Sequence, residues 1–183
     1  MKQTYISFLR GINVGGHKKI PMKELAAMYQ AAGLENVRTY IQSGNVIFKH
    51  TESQVQELQQ TIESAISAYF KFDVSVIIRN IEEIKNILVN NPFLNEGNLD
   101  PTNLYLALLQ AAPSQDSFAS LSNDISTNDR FSISGKEIYI FCPEGFGNTK
   151  FNNQFFEKKL KTPSTIRNWR TMQEMLRISQ EIG

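Results

Sequence analysis

The sequence predicts an α+β protein whose first half has the βαββαβ order of a ferredoxin-like unit. Three observations lead to this fold class: an apolar stripe with helical spacing after a strand-like run, a tight turn between two β-rich runs, and a second helical stripe followed by another strand. The remainder predicts a smaller part with the order βαββαα, which makes a degenerate duplication a further expectation.

The first helix is predicted after a strand at residues 5–10 and a glycine-containing loop. Pro21 suits the first helical position, and Gly33 stands where a left-handed C-terminal cap is expected. The buried face of this helix is predicted from the spacing of Met22, Leu25, Ala26, Tyr29 and Ala32.

A β-hairpin is predicted next, because residues 37–42 and 46–49 are rich in β-forming side chains. Residues 43–45, Ser-Gly-Asn, separate the two runs, and this composition favours a tight turn since glycine accepts a positive φ.

The second helix and the fourth strand complete the first sheet. Thr51 and Gln54 have the spacing of a capping box. The apolar spacing predicts a buried helical face made by Val55, Leu58, Ile62, Ile66 and Tyr69. With a strand at residues 74–79, this order closes as an antiparallel four-stranded sheet that carries both helices on one face.

A linker is predicted at residues 91–102, because this segment holds two prolines, a glycine and many polar side chains. It separates a ferredoxin-like subdomain at residues 1–90 from a second α+β subdomain at residues 103–183. In the second subdomain we expect, in order, a strand at 104–109, a helix at 115–121, a hairpin at 131–141, a helix at about 153–160, and a last helix that starts near Ser164.

The composition indicates a globular protein, with 41% hydrophobic and 20% charged residues in a chain of 183. One cysteine, Cys142, excludes an internal disulfide, and only two histidines accompany it, so neither a metal site nor another cofactor is expected. No segment approaches the roughly 18 apolar residues that span a bilayer. The first residues lack the features of a signal peptide, so we expect a cytoplasmic protein without a membrane partner.

The net charge of +1 hides an uneven distribution. Five basic residues and no carboxylate precede Glu24, and six basic residues accompany a single acid, Glu157, at residues 150–170. If these two basic regions meet in space, they form a positive surface that attracts phosphate or nucleic acid. The alternative is two ordinary solvated faces.

The loop at residues 10–19 is the strongest candidate site, because glycines allow backbone amides to converge beside basic side chains. Its candidate ligand-binding residues are Arg10, Asn13, Gly15, Gly16, Lys18 and Lys19. The loop matches neither a phosphate-loop pattern nor a dinucleotide fingerprint. The alternative is a connection whose glycines only turn the chain.

Four further candidates lie elsewhere: Ser43 and Asn45 in the hairpin turn, Lys150 after a second glycine-containing loop, and Arg167 in the basic C-terminal region. The end of strand one and the turn of the hairpin can lie at opposite ends of such a sheet, so the turn residues need not share a site with Asn13. No histidine or lysine is spaced to activate Ser43, which favours an Asx-type or serine turn over a nucleophile.

Three separated motifs resemble a known family. They are FLRGINVGG at residues 8–16, YIQSGNVIF at residues 40–48 and TIRNWRT at residues 165–171. In this order they resemble the bacterial domain-of-unknown-function family numbered 1697, over essentially the whole chain. The resemblance implies an α+β protein with a ferredoxin-like first part and a related second part, and it implies no activity, cofactor or catalytic residue.

The leading functional hypothesis is a binding protein for an anionic ligand, either a phosphorylated small molecule or nucleic acid. One alternative is an enzyme of unknown reaction on a small polar substrate, oriented by Arg10, Asn13, Ser43 and Asn45, although the sequence nominates no general base. The other is a dimerising scaffold, because a sheet with helices on one face has its other face free for a partner. The expected state is a monomer or a homodimer.

Overall fold

The computed structural model describes residues 2–51, 54–97, 99–119, 121 and 128–182. It confirms the α+β fold class, with two four-stranded antiparallel sheets. The chain divides into two compact units, the first made of Met1–Lys85 with Glu174–Gly183 and the second of Asn86–Gln173. None of the helices within the described residues combines the length and apolarity that crossing a membrane requires.

The first sheet follows the predicted βαββαβ order. Its elements, with the helix that follows, are β1 Gln3–Leu9, α1 Met22–Ala31, β2 Glu35–Tyr40, β3 Asn45–His50, α2 Val55–Phe70, β4 Val76–Asn80 and α3 Ile81–Val89. The strands lie in the order β2-β3-β1-β4, so β1 is in the middle and pairs with both β3 and β4.

The core of the first unit lies between one face of this sheet and the helices α1 and α2. Every second residue of the central strands faces the helices, as Tyr5 and Leu9 do on β1. The helical residues in this cluster include Leu25, Met28, Tyr29, Leu58, Ile62 and Ile66. One predicted core residue is wrong: Tyr69 is 54% exposed, because its position near the end of α2 lies beyond the sheet-facing stripe.

The second unit repeats the strand arrangement of the first. Its elements are β5 Leu104–Leu109, α4 Gln115–Ala119, β6 Arg130–Ser134, β7 Glu137–Phe141, α5 Asn153–Leu160, β8 Ser164–Asn168 and the first part of α6 Trp169–Ile182. The strand order is β6-β7-β5-β8, which is the order of the first sheet with each strand replaced by its counterpart. The core cluster beside α5 includes Leu109, Ile138, Ile140 and Phe156.

The predicted order βαββαα for this part is corrected at one element. Residues 164–168 form strand β8 and pair with β5, whereas the sequence predicts that the last helix starts near Ser164. Pro163 instead follows α5, which ends at the left-handed cap Lys161. The β-branched Thr165 and Ile166 favour a strand, and the helix starts only after Asn168, whose side chain accepts a hydrogen bond from the N–H of Thr171 at 2.7 Å.

An equivalent hydrogen bond occurs within each unit, although no single sequence motif predicts it. The N–H that opens β4, on Val76, donates to Oε1 of Glu63 at 2.8 Å. The N–H that opens β8, on Ser164, donates to Oε1 of Glu157 at 2.9 Å. The tripeptide Ile-Arg-Asn then ends both strands, at residues 78–80 and 166–168. The units are therefore structural repeats, and features found in only one of them stand out.

Candidate functional site

A cleft of about 740 Å³ lies in the first unit, where β1 ends beside the start of β4. Three segments line it: the loop after β1, the C-terminal half of α2, and the segment that leads into β4. The lining residues are Arg10, Lys18, Glu63, Ser64, Ser67, Ala68, Asp73, Val74 and Ser75. Clefts of this volume accommodate small organic ligands.

The strand order explains why these segments meet. Because β1 and β4 are antiparallel neighbours, Leu9 at the end of β1 lies opposite Val76 at the start of β4. The N–H of Arg10 extends this pairing by donating to the carbonyl of Ser75 at 3.0 Å. Lys71 ends α2 in the left-handed conformation with φ 65°, which turns the chain back toward β4.

The loop after β1 reaches the cleft through Lys18. Its ammonium donates to the carbonyl oxygen of Asp73 at 2.5 Å, which connects the loop to the segment before β4. Lys18 itself has φ 45°, and its carbonyl accepts a hydrogen bond from the N–H of Asn13 at 3.2 Å. Gly15 and Gly16 form the exposed tip between them, both with positive φ.

Glu63 presents a half-buried carboxylate to the cleft from α2. Within the described residues, the hydrogen bonds it accepts both use Oε1, one from the N–H of Val76 at 2.8 Å and one from Nε2 of Gln59 at 3.2 Å. The carboxylate is therefore held in place by one oxygen, and its other oxygen, Oε2, accepts no hydrogen bond from the part of the chain that the structure describes.

The lining combines both signs of charge with hydroxyl groups. A guanidinium and an ammonium, from Arg10 and Lys18, come from the loop side, while Glu63 and Asp73 supply two carboxylates. Ser64, Ser67 and Ser75 add hydroxyl groups that donate and accept hydrogen bonds. The cleft therefore offers basic, acidic and neutral hydrogen-bonding residues together.

Asn13 serves the fold of the loop. Its Nδ2 donates to the carbonyls of Ile20 and Gln42, at 3.0 and 2.9 Å, and its Oδ1 accepts from the N–H of Ile20 at 2.8 Å. The amide therefore joins the two ends of the loop to the β2–β3 turn. The structure brings these two regions to the same end of the sheet, because β1 and β3 are antiparallel neighbours.

Ser43 and Asn45 stabilise the β2–β3 turn. Asn45 is fully buried, and its Nδ2 donates to the carbonyl of Tyr40 and to Oγ of Ser43, both at 3.0 Å. The serine hydroxyl thus acts as an acceptor within the turn.

The remaining predicted residues lie outside the lining of this cleft. Lys19 is exposed in the loop, and Lys150 is exposed in the second unit. Arg167, also in the second unit, is 8% exposed and donates to Oγ1 of Thr165 at 2.7 Å and to the carbonyl of Ile166 at 2.9 Å. Burial lowers the pKa of Arg167 to about 10.

Sequence reasoning missed the contributions of α2 and of the segment before β4. Ser64 and Ser67 are small polar residues three apart that flank the buried stripe of the helix. Because residues three apart lie on one face of a helix, this spacing indicates a polar surface on α2. Glu63 and Asp73 required the strand order as well, since only the adjacency of β1 and β4 brings them near Arg10. Among the described residues, no group of three or more His, Cys, Asp or Glu side chains is placed to hold a metal ion.

The fold and the cleft define a two-part α+β protein with repeated units and a polar cleft in the first of them. The chain belongs to the family described as "Protein of unknown function (DUF1697)", which matches residues 1–139.

Solved structures share this fold. One is the conserved bacterial protein SP0830 from Streptococcus pneumoniae, with a TM-score of 0.78 and 24% sequence identity over 98% of this chain and 99% of that chain. The comparison with curated proteins found no match.

Proposed function

We propose that the first unit binds a small molecule that carries a phosphate group, in the cleft between the β1–α1 loop, α2 and the start of β4. One observation carries the proposal: Arg10 and Lys18 line the same concave site as three serine hydroxyls. Guanidinium groups bind phosphate through paired hydrogen bonds, and an ammonium adds a point charge.

A small ligand fits the lining better than nucleic acid does. Nucleic-acid sites present an extended basic surface or groove to the phosphate backbone. This cleft has a volume of about 740 Å³, and its two basic residues share it with Glu63 and Asp73. The carboxylates would repel a continuous phosphate chain, whereas a small molecule places one anionic group beside the cations.

The internal repeat supports the assignment to the first unit. The connection from β5 to α4, residues 110–114, reads QAAPS and contains no basic residue. The connection from β1 to α1 is longer and contains Arg10, Lys18 and Lys19. The basic loop is therefore an addition to a shared scaffold, which is where function concentrates in repeated folds.

The scaffold proposed for the site is a ferredoxin-like unit. Its strand order, β2-β3-β1-β4, and the common core of α1 and α2 on one face support this description. The proposed compartment is the cytoplasm, in which a lone thiol such as Cys142 stays reduced.

The test is calorimetric titration with inorganic phosphate and n-propyl phosphate. We expect wild-type binding that weakens as salt increases, and a loss of about tenfold or more in Arg10→Ala and in Lys18→Ala, because each removes a charge-assisted contact. Lys19→Ala is the matched control, since this lysine belongs to the same loop and lies outside the cleft lining.

Two results would contradict the proposal. The first is the absence of binding by the wild type for both phosphate compounds. The second is equal affinity in wild type, Arg10→Ala and Lys18→Ala. A single-stranded RNA that binds with a steep salt dependence while n-propyl phosphate does not would instead favour nucleic acid.

A further inference from the structure

We propose that the ligand of this cleft is a phosphate ester of a polyhydroxylated molecule, and that Glu63 is a specificity-determining residue that accepts a hydrogen bond from one of its hydroxyl groups. This inference rests on the proposed phosphate site and deepens it by naming the part of the ligand that is not phosphate.

The first argument is the charge balance of the cleft. Two carboxylates beside the cations weaken a site for phosphate alone, because they repel the anion at short range. Glu63 and Asp73 nevertheless line the cleft together with Arg10 and Lys18. The carboxylates become favourable when the ligand carries hydrogen-bond donors next to its phosphate.

The second argument is the position of Glu63. Its Oε1 is occupied by the N–H of Val76 and by Gln59, which fixes the carboxylate against the strand. Neither of these contacts uses Oε2. Because the bonds to Oε1 fix the whole carboxylate, Oε2 is a pre-organised acceptor, and pre-organisation reduces the entropy lost on binding.

The third argument selects hydroxyl groups over an ammonium group. Ser64, Ser67 and Ser75 each donate and accept, and so do the hydroxyls of a polyol. An ammonium only donates, so a serine that contacts it can use only its acceptor capacity, whereas a ligand hydroxyl can engage both capacities. The volume of about 740 Å³ also leaves space beyond a single phosphate group.

The second unit provides an internal reference for Glu63. Glu157 makes the equivalent bond to the first N–H of β8, at 2.9 Å. The bond to the strand is thus a repeated structural feature. Substitution of either glutamate by glutamine keeps an amide oxygen for this bond and removes the negative charge. Comparison of Glu63→Gln with Glu157→Gln therefore separates the structural role of Glu63 from its proposed binding role.

The experiment compares glycerol 3-phosphate with n-propyl phosphate, which differ only by two hydroxyl groups, by calorimetry on the full chain. We expect wild type to prefer glycerol 3-phosphate by about tenfold, since a site with polar groups discriminates against a ligand that leaves them unpaired. Glu63→Gln should reduce this preference to less than about threefold and leave n-propyl phosphate bound at least as well. Glu157→Gln should retain the wild-type preference.

Each contrary outcome has a distinct meaning. Equal affinity of wild type for the two esters overturns the inference and leaves the phosphate site standing, whereas failure of both esters to bind overturns both. A preference for phosphoethanolamine over glycerol 3-phosphate identifies an ammonium ligand and overturns the polyol class. If Glu63→Gln does not fold, Ser67→Ala replaces it, and an unchanged preference in that variant counts against the polyol contacts.

Discussion

Asn13 donates a hydrogen bond to the carbonyl oxygen of Gln42 at 2.9 Å and thereby joins the loop that follows β1 to the turn between β2 and β3. The same side chain makes two bonds with the backbone of Ile20, which closes the base of the loop. Asn13 has φ 56°, a conformation that asparagine tolerates better than most residues. The basic loop is therefore fixed at its base, and Arg10 and Lys18 extend from a defined frame.

Replacement of Asn13 tests this frame. Asn13→Ala removes three hydrogen bonds, one donated to and one accepted from the backbone of Ile20, and should lower the free energy of unfolding by about 2 kcal/mol. The measurement is urea denaturation. Asn36→Ala is the control, because Asn36 is exposed and has a similar φ of 51°, so it reports the backbone cost alone. Equal losses in the free energy of unfolding of Asn13→Ala and Asn36→Ala would show that the side-chain hydrogen bonds of Asn13 do not stabilise the loop.

Gly44 allows the β2–β3 turn to pack closely against the end of β1 and the loop that follows it. It has φ 75°, and a Cβ atom added there would lie 2.7 Å from Cβ of Leu9 and 2.7 Å from Cδ1 of Ile12. Gly44→Ala should therefore destabilise by about 3 kcal/mol or more, the sum of backbone strain and overpacking. Gly33→Ala is the matched control, since Gly33 has φ 85° and a Cβ atom added there would meet no atom within 4 Å, and it should cost about 1 kcal/mol.

The elements that the sequence predicted well are those with independent local signals. The first helix has Pro21, an apolar stripe and Gly33, and the structure places it at Met22–Ala31. A reciprocal cap between Asn80 and Glu83, another local signal, is also formed, with two bonds of 2.8 Å. The capping box at Thr51 is not, because α2 begins at Val55 with Gln54 as its N-cap and without a side-chain bond.

What could not be predicted depends on contacts between distant segments. Strand β8 was missed because Pro163 resembles a helix start locally, and only pairing with β5 decides for a strand. The sequence predicts only part of the cleft, because it indicates Arg10 and Lys18 as candidate residues but not Glu63. Glu63 lies 53 residues from Arg10 in the chain (63 − 10) and is brought to the site by the strand order. Periodicity carries no information on such proximity.

Ile41 has an unfavourable backbone conformation at an exposed position. It has φ 51°, which is uncommon for a β-branched residue, and its side chain is 48% exposed. Ile41→Asn should therefore raise the free energy of unfolding by about 1 kcal/mol, because asparagine accepts the left-handed region at lower cost. Thermal or urea unfolding measures the change. Destabilisation would instead show that the isoleucine side chain contributes packing that outweighs the strain.

The repeated Ile-Arg-Asn tripeptides predict equal roles for two asparagines. Asn80 accepts from the N–H of Glu83 at 2.8 Å at the start of α3, and Asn168 accepts from the N–H of Thr171 at 2.7 Å at the start of α6. Alanine at either position should cost about 1 kcal/mol, the usual value of an N-cap. Urea unfolding of the two variants tests this. A large cost at one position and none at the other would show that the repeat does not extend to the caps.

Cys142 predicts a pH dependence of stability. Its side chain is fully buried, and burial raises the pKa of the thiol from the ordinary 9.0 to about 11. The folded state therefore holds the proton more tightly than the unfolded state does. This contribution to stability is complete below about pH 9 and is lost as the pH rises from 9 through 11, because the unfolded thiol ionises first.

Two measurements examine the thiol. A thiol-specific reagent at pH 8 should modify the native chain slowly and the urea-unfolded chain rapidly, since the buried thiol is both protonated and inaccessible. In urea unfolding between pH 8 and 11, wild type should lose stability more steeply than Cys142→Ala. Burial also raises the pKa values of Tyr29 and Tyr139, so part of the decline remains in the variant. Parallel curves for the two proteins would show that folding does not raise the pKa of the thiol, and rapid modification of the native chain would show that the thiol is accessible in the folded state.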